Sequence, residues 1–153
     1  MSRLGPLVST SAQTLATATL TVETRGQGFS DITAQAVEFL SRAKAADGVL
    51  LMFLRHTSAS LVIQENADPD VRTDLVTALD RLAPRQAGWV HDIEGPDDMP
   101  AHIKTMLNGV SLHVPVAGRR LTLGTWQGIY LAEHRDAPHS RSVTLQFIGS
   151  AER

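Results

Sequence analysis

Several short segments of this chain alternate apolar and polar residues, and turns rather than helices separate most of them. Residues 16–22, 110–116 and 143–148 show this alternation, which is typical of strands with one buried face. The turn at 117–120 joins the second of these segments to 121–125, so the two are expected to form a hairpin. Short connections of this kind join antiparallel strands. The pattern therefore predicts an α+β fold with a mainly antiparallel sheet or sandwich, and not a doubly wound parallel sheet.

Three more segments complete the expected strands. Val49–Leu54 is continuously apolar, which predicts a strand covered on both faces, and Leu61–Ile63 is expected to be its short partner. Gln127–Glu133 adds another strand, which brings the expected total to about seven.

Three segments carry the apolar spacing of helices. Either residue of Ser30-Asp31 can cap the first helix, which Asp47-Gly48 is expected to end. Asp68-Pro69 predicts the start of the second helix, because proline at the first helical position loses no hydrogen bond. A third, short helix is expected over Ala101–Leu107.

The size and composition fit one folded domain. A chain of 153 residues is long enough to bury a sizeable core, so we interpret 1–153 as a single domain with 1–13 as a loose N-terminal segment. The absence of cysteine excludes disulfides, thiolate metal sites and a cysteine nucleophile, and it suits a reducing compartment. No apolar stretch approaches the roughly 18 residues of a membrane span. We therefore expect a cytoplasmic protein without a membrane partner.

The charge balance argues against a nucleic-acid partner. The chain has 14 basic and 16 acidic residues, which give a net charge of −2. A protein that binds nucleic acid without sequence preference needs a concentrated positive field, and only 5% of the residues are aromatic and able to stack on bases. The expected ligand is therefore a small molecule.

The six histidines are the main candidates for chemistry. His56 directly follows the buried strand, where it could meet a ligand together with Thr57 and Ser58. The alternative is that His56 only bonds a nearby carbonyl and caps the edge of the sheet. His134-Arg135 ends another strand, where Arg135 could bind an anion or form a terminal salt bridge.

Residues 91–102 combine two histidines with four carboxylates on a stretch that contains a glycine and two prolines. Imidazole and carboxylate together suit Zn²⁺ or Mn²⁺, although the spacing matches no standard signature such as HExxH. An acidic surface loop is the alternative interpretation. Asp98 and His102 share a helix face if the third helix begins by Asp98, whereas Asp98 is otherwise only a cap.

The remaining motif places glycines on either side of a tryptophan, at Gly124 and Gly128. Exposed backbone N–H groups there could bind phosphate. The spacing matches neither a Walker nor a dinucleotide-binding motif, and GxSxG is absent, so no nucleotide cofactor or serine hydrolase is indicated.

Taken together, four stretches of the chain resemble the YjbQ-like family, whose members are described as secondary thiamine-phosphate synthases. The stretches are His56–Leu61, Glu65–Asp70, Glu94–Lys104 and Leu123–Tyr130. They occur in the family's order and approximate spacing, and the likeness extends from about Ala16 to Ile148. The resemblance implies a compact α+β subunit that assembles as a homotrimer, with the motif residues near subunit boundaries.

The implied reaction joins a pyrimidine pyrophosphate to a thiazole phosphate and releases pyrophosphate. The leaving group gains charge, so Mg²⁺, Mn²⁺ or Zn²⁺, basic side chains or backbone N–H groups must neutralise it, and no organic cofactor is expected. The residues expected to bind the phosphorylated substrate are Thr57, Ser58, Asn66, Lys104, Gln127 and Arg135. The expected metal ligands are His56, His91 and His102. The candidate catalytic groups are His56, Glu94 and Glu133, with either glutamate as base or metal ligand.

Two other functions would use the same residues. The chain could be a trimeric protein that binds a metal ion or a phosphorylated metabolite without turnover. It could also be a metal-dependent hydrolase of another phosphorylated substrate, with a metal-activated water as nucleophile. The sequence leaves open whether the protein is an enzyme, and multiple-turnover product formation would discriminate between these functions.

Overall fold

The computed structural model describes residues 1–152, and within them eight strands and three helices form. The elements in chain order are β1 (Thr14–Glu23), β2 (Gly28–Asp31), α1 (Thr33–Arg42), β3 (Ala45–Leu54), β4 (Ala59–Glu65), α2 (Pro69–Leu82), α3 (Asp98–Asn108), β5 (Ser111–Ala117), β6 (Arg120–Leu121), β7 (Gln127–Glu133) and β8 (Ser140–Ala151). The predicted α+β class with mainly antiparallel strands is confirmed.

The strands form two antiparallel sheets. The larger has the order β1-β8-β3-β5-β6 and the smaller the order β2-β7-β4. In the larger sheet Leu50 lies opposite both Val114 and Phe147, so apolar side chains of three strands line up across one face. Leu61 and Leu131 lie opposite each other in the smaller sheet and join the same core. The two sheets and α1 therefore share one apolar interior.

The helix starts place the residues of greatest interest. The side chain of Asp68 accepts a hydrogen bond of 2.9 Å from the N–H of Asp70, and Pro69 is the first residue of α2, as predicted. The third helix begins at Asp98, three residues before the predicted start. Asp98 and His102 are therefore one turn apart on the same face of α3.

The predictions around the first helix were wrong at both of its ends. The strand β2 was missed, and Asp31 ends that strand instead of capping α1, although its carboxylate accepts the N–H of Thr33 at 2.9 Å. The chain reverses at Lys44, which has φ +52°, and β3 begins at Ala45. Gly48 therefore lies within β3, where a Cβ atom would come within 2.2 Å of the carbonyl oxygen of Ile148. Close approach to β8 explains this glycine, and the end of a helix does not.

Three strand predictions were also wrong. Leu61–Ile63 lies in β4, which pairs with β7 in the smaller sheet and is not the partner of β3. The structure leaves the outer face of β3 open, since Leu50, Met52 and Leu54 are buried but Phe53 is 52% exposed. A continuously apolar run therefore does not show that both faces are covered by the same chain. The return strand of the hairpin pairs only over Arg120–Leu121, so the predicted strand over 121–125 is much shorter than expected.

The first part of the chain lies outside the regular elements. Residues 1–13 belong to no helix or strand, and the backbone N–H of Gln13 donates to the carbonyl of Gly149 where β1 is about to begin. Within residues 1–152, no helix has the length and apolar character needed to cross a membrane.

Candidate metal centre

Three side chains at the start of α3 and in the loop before it are close enough to hold one metal ion. One nitrogen or oxygen atom each of His91, Asp98 and His102 lies within 4.8 Å of the other two. Oδ2 of Asp98 is 2.7 Å from Nε2 of His91 and 3.2 Å from Nε2 of His102. Two imidazoles and a carboxylate form a donor set typical of Zn²⁺ or Mn²⁺. We call these three residues the metal triad.

Arg135 fixes the carboxylate of the triad. Asp98 is 1% exposed, and its second oxygen, Oδ1, accepts a hydrogen bond of 2.8 Å from Arg135. The same guanidinium donates to the carboxylate of Asp97 and to the carbonyl of Glu94, both at 2.9 Å. It thereby ties the loop and the start of α3 to the end of β7. Since these bonds occupy the guanidinium, the predicted substrate contact of Arg135 gives way to a positioning role.

The ring of His102 is held in one orientation by the chain before β4. Its Nδ1 lies 2.8 Å from the carbonyl oxygen of Thr57, which can only accept, so Nδ1 carries the hydrogen. In a neutral ring, Nε2 would then present a lone pair to the carboxylate of Asp98 at 3.2 Å. Two lone pairs facing each other repel, and a metal ion bound between the two atoms would remove this repulsion.

His56 does not join the metal triad, contrary to its predicted place among the ligands. Its Nε2 accepts a hydrogen bond of 2.8 Å from the backbone N–H of Ser142 in β8. Burial and the nearby charge of Arg141 lower the pKa of His56, so the ring is neutral near pH 7. The lone pair that a metal would need is already used. Asp98, which the sequence analysis counted among the carboxylates of 91–102 but did not name as a ligand, takes the third place.

His56 and His102 instead meet in one open groove of about 600 Å³. The ends of β3 and α3 supply most of its lining, which comprises Phe53, Leu54, Arg55, His56, Thr57, His102, Thr105, Met106, Gly109 and Val110. The groove thus borders the metal triad through His102, and its volume is in the range of small-molecule sites.

Glu133 is committed to the structure and is unsuited to act as a base. It is 2% exposed and accepts hydrogen bonds from Thr24, from Arg141 and from the backbone N–H groups of His134 and Arg135. Burial alone would raise the pKa of Glu133, but these donors outweigh it and lower the pKa. Since the carboxylate is ionised and fully bonded, it has no free lone pair for a substrate proton.

Three of the predicted substrate contacts are also buried or distant. Lys104 is 2% exposed, and its ammonium group donates to Asp80 at 2.6 Å. Asn66 and Gln127 lie at the end of the β4–β7 pair opposite to Glu133. Gln127 is six residues from Glu133 along β7, a distance of about 20 Å in an extended strand. There the side chain of Asn66 donates to the carbonyls of Thr125 and Gln127, and Gln127 accepts from Gly124. These residues hold a loop and do not face the triad.

The remaining predicted residues lie beside the groove or the triad. Thr57 is exposed and supplies the carbonyl that holds His102, whereas the hydroxyl of Ser58 accepts a hydrogen bond from Arg141 at 3.0 Å. The carboxylate of Glu94 is 3.8 Å from Arg135 and its side chain is 65% exposed. Like Asp92 beside His91, Glu94 is therefore a carboxylate near the triad that remains open to a substrate.

Sequence reasoning missed a buried serine–histidine pair next to this region. The ring of His134 is 2.6 Å from the hydroxyl of Ser60, and both residues are buried. Burial and the nearby charge of Lys104 lower the pKa of His134 to about 4. The last six residues of β7 and the first three of β4 are all buried, so no alternation in the sequence marks these two positions as interior.

We expect this pair to make the protein less stable in mild acid. The unfolded chain takes up a proton on His134 near pH 6.5, whereas the folded chain does so only near pH 4, so stability falls as the pH drops through that window. From pH 8 to pH 5 the free energy of unfolding should fall by about 2 kcal/mol on this account. Urea titrations of wild type and His134→Gln at both pH values test this. An equal pH dependence in the two proteins would contradict it.

Known proteins with similar sequences and structures support the fold, and the matched residues include the metal triad. A sequence model described as "UPF0047 protein YjbQ-like" matches residues 18–150. The chain is 46% identical over 131 residues to UPF0047 protein YjbQ of Salmonella typhimurium, covering 84% of this chain and 95% of that protein. A UPF0047 protein of Synechocystis is 44% identical over 131 residues, with coverage of 85% and 89%. The crystal structure of a hypothetical protein from Aeropyrum pernix K1 has a TM-score of 0.81 and 33% identity, and the match covers 88% of this chain and 99% of that chain.

Proposed function

Because the chain belongs to the YjbQ-like UPF0047 family, we propose that it is a metal-dependent enzyme acting on a small phosphorylated substrate. The proposed ligands are His91, Asp98 and His102, and two imidazoles favour Zn²⁺ or Mn²⁺ over Mg²⁺. The proposed reaction is the one that the resemblance implies, in which a pyrimidine pyrophosphate is joined to a thiazole phosphate and pyrophosphate leaves.

The orientation of His102 is the observation that carries this proposal. Its Nδ1–H donates a hydrogen bond to the carbonyl of Thr57. In the neutral ring, the Nε2 that faces the carboxylate of Asp98 therefore carries no hydrogen. A backbone carbonyl that accepts the other ring N–H, and so fixes the tautomer, is a usual partner of a metal-bound histidine. Arg135 completes the arrangement by holding the other oxygen of Asp98.

The chain's own residues divide the remaining tasks. A bound divalent ion would supply positive charge to the departing pyrophosphate. His56 is neutral and has an Nδ1–H group to donate to a ligand in the groove that it lines. Of the two predicted glutamates, Glu94 is the exposed one and is available to accept a proton, because Glu133 is saturated with hydrogen bonds. Arg135 acts only through Asp98, Asp97 and Glu94, which it positions.

The homotrimer that the resemblance implies is part of the proposal. Large apolar side chains stay exposed in a single chain, among them Phe53 at 52% and Met106 at 78%, which line the groove, and Leu107 at 56%. A contiguous exposed apolar surface is typical of an association site. A solution mass other than three times the 16.5 kDa of the chain would contradict this part.

Zinc titration and turnover test the proposal together. Calorimetry in two buffers of different ionisation enthalpy should show one zinc ion per chain and any release of protons, because metal ligands bind in their deprotonated forms. Pyrophosphate release from the two substrates should proceed through many turnovers, require the metal and be lost in His102→Ala. His113→Ala is the matched control, since His113 is exposed on β5. Absence of zinc binding, or turnover that does not depend on metal, would overturn the proposal.

A further inference from the structure

The fold does not hold the three side chains of the metal triad equally. Asp98 and His102 belong to α3, and hydrogen bonds with other segments of the chain fix both side chains. His91 instead belongs to residues 86–93, which form no helix or strand and which we call the strap. The centre therefore combines a rigid half on α3 with a third ligand on a loop.

The two ends of the strap are fixed at one place, directly after β7. The guanidinium of Arg85 donates two hydrogen bonds to the carboxylate of Asp136. The guanidinium of Arg135 donates to the carbonyl of Glu94 at 2.9 Å. The eight residues of the strap thus run between two anchors that are neighbours in the chain.

Between these anchors, the strap is joined to the fold at a single point. In the part of the chain that the structure describes, the only hydrogen bond from the strap to a helix or strand is the one between His91 and Asp98, at 2.7 Å. The other hydrogen bonds of the strap reach no farther than residues 84 and 95. The side chain that ties the strap to α3 is therefore also a metal ligand.

Little packing holds the strap in place. Val90 is 98% exposed and Ile93 is 90% exposed, so neither buries its apolar side chain against the fold. Gly88 has φ +70° and open space where a Cβ atom would stand, which makes it a point where the strap can bend. Ordering eight exposed residues costs more free energy than one hydrogen bond returns, so a segment of this kind opens readily.

We propose that the strap is a metal-controlled lid, which opens when no metal ion is bound and closes when zinc binds His91 together with Asp98 and His102. This inference rests on the proposed function, since it needs a metal ion at the triad. The groove borders the centre through His102 and no residue of the strap lines it. Closure therefore adds the third ligand to the centre without blocking the groove.

The closure of the strap and the affinity for zinc are linked quantitatively. If zinc favours the closed strap through His91, the closed strap favours zinc by the same factor, because coupling between two equilibria is reciprocal. Saturating zinc should therefore lower the open fraction of the strap by the factor by which His91→Ala weakens zinc binding. We expect that factor to be about 100-fold.

Cleavage by chymotrypsin after Trp89, which lies in the strap, measures the open fraction. Proteolysis follows the population of the open form when opening and closing are fast relative to cleavage. The full-length protein is digested with and without saturating zinc, and the fragments are identified by mass. Zinc should slow cleavage after Trp89 by the same factor as the loss of zinc affinity in His91→Ala, and it should leave the cleavage of His91→Ala unchanged.

The chain offers two controls for this experiment. Trp126 is 65% exposed and lies outside the strap, so the rate of cleavage after Trp126 should not depend on zinc. Asp92→Asn changes an exposed carboxylate of the strap that is not part of the triad, so it should behave like the wild type.

The outcomes separate this inference from the proposed function. Zinc binding in calorimetry without slower cleavage after Trp89 would overturn the inference alone. Equal slowing in the wild type and in His91→Ala would also overturn it, because zinc would then act without the ligand of the strap. Absence of zinc binding would overturn the proposed function and this inference with it.

Discussion

Replacing Asp98 with asparagine should lower the affinity for zinc by about 100-fold or more, since even outer partners of metal ligands are worth 10–100-fold. Asp98 supplies the only carboxylate of the metal triad, and its two oxygens divide between the two histidines and Arg135. The amide carries no charge, so it attracts a divalent ion far less, and it weakens one of the bonds that Arg135 makes. Zinc affinity by calorimetry or competition with a chelating dye measures the effect.

Two further variants keep this prediction testable if Asp98→Asn is unstable. His91→Ala removes a ligand whose side chain is 44% exposed, so the fold should tolerate it while the zinc affinity falls to a similar extent. Asp92→Asn is the matched control, because Asp92 is an exposed carboxylate next to His91 that lies outside the triad. Unchanged zinc affinity in both Asp98→Asn and His91→Ala would show that the triad is not the metal site.

Replacing Glu133 with glutamine should lower the free energy of unfolding by about 3–5 kcal/mol, the usual cost of removing one partner of a buried ion pair. The side chains of Glu133 and Arg141 are 1% and 4% exposed, so the remaining guanidinium would be left charged in the interior. Arg141→Met should be similarly costly. The double variant should lose less than the sum of the two, because neither charge is then left unpaired.

An exposed ion pair on the surface provides the comparison for this predicted loss of stability. Arg119 and Glu152 are 3.2 Å apart with side chains that are 68% and 49% exposed, so Glu152→Gln should change the free energy of unfolding by less than about 1 kcal/mol. Chemical denaturation of the four variants provides the comparison. If Glu133→Gln kept its stability but abolished turnover, the structural role that we assign to Glu133 would be wrong, and its role as a base would return.

The sequence was most informative where structure depends on neighbouring residues. The start of α2 was predicted correctly because Asp68 caps the N–H of Asp70, only two positions away, and proline fits the next position. The alternation of β5 and β8 was equally visible, since it reflects which face of one strand is buried. By contrast, Gly48 was misread as a helix end, although it serves the close approach of β8.

The candidate site shows the same difference between features that neighbouring residues determine and features that distant contacts determine. His91 and His102 were selected from one short segment, and the structure brings them together around Asp98. His56 was selected for its position after a buried strand, but a backbone N–H from Ser142, 86 residues away, occupies its Nε2. Lys104 was expected to bind an anion, yet its side chain is buried and its ammonium group is bonded to Asp80. The chemical types of the candidate residues were visible in the sequence, whereas their partners were not.

By itself the sequence determined the α+β class, the resemblance to the YjbQ-like family and the small set of titratable residues from which a site could be built. Periodicity, capping and motif order are local properties, so one chain displays them without knowledge of its contacts. Only the tertiary structure decided that Asp98 joins the two histidines and that Glu133 forms an interior ion pair with Arg141. Each of these depends on which distant segments the two sheets bring together, and hydrogen bonding and burial there decide which side chains remain free to react.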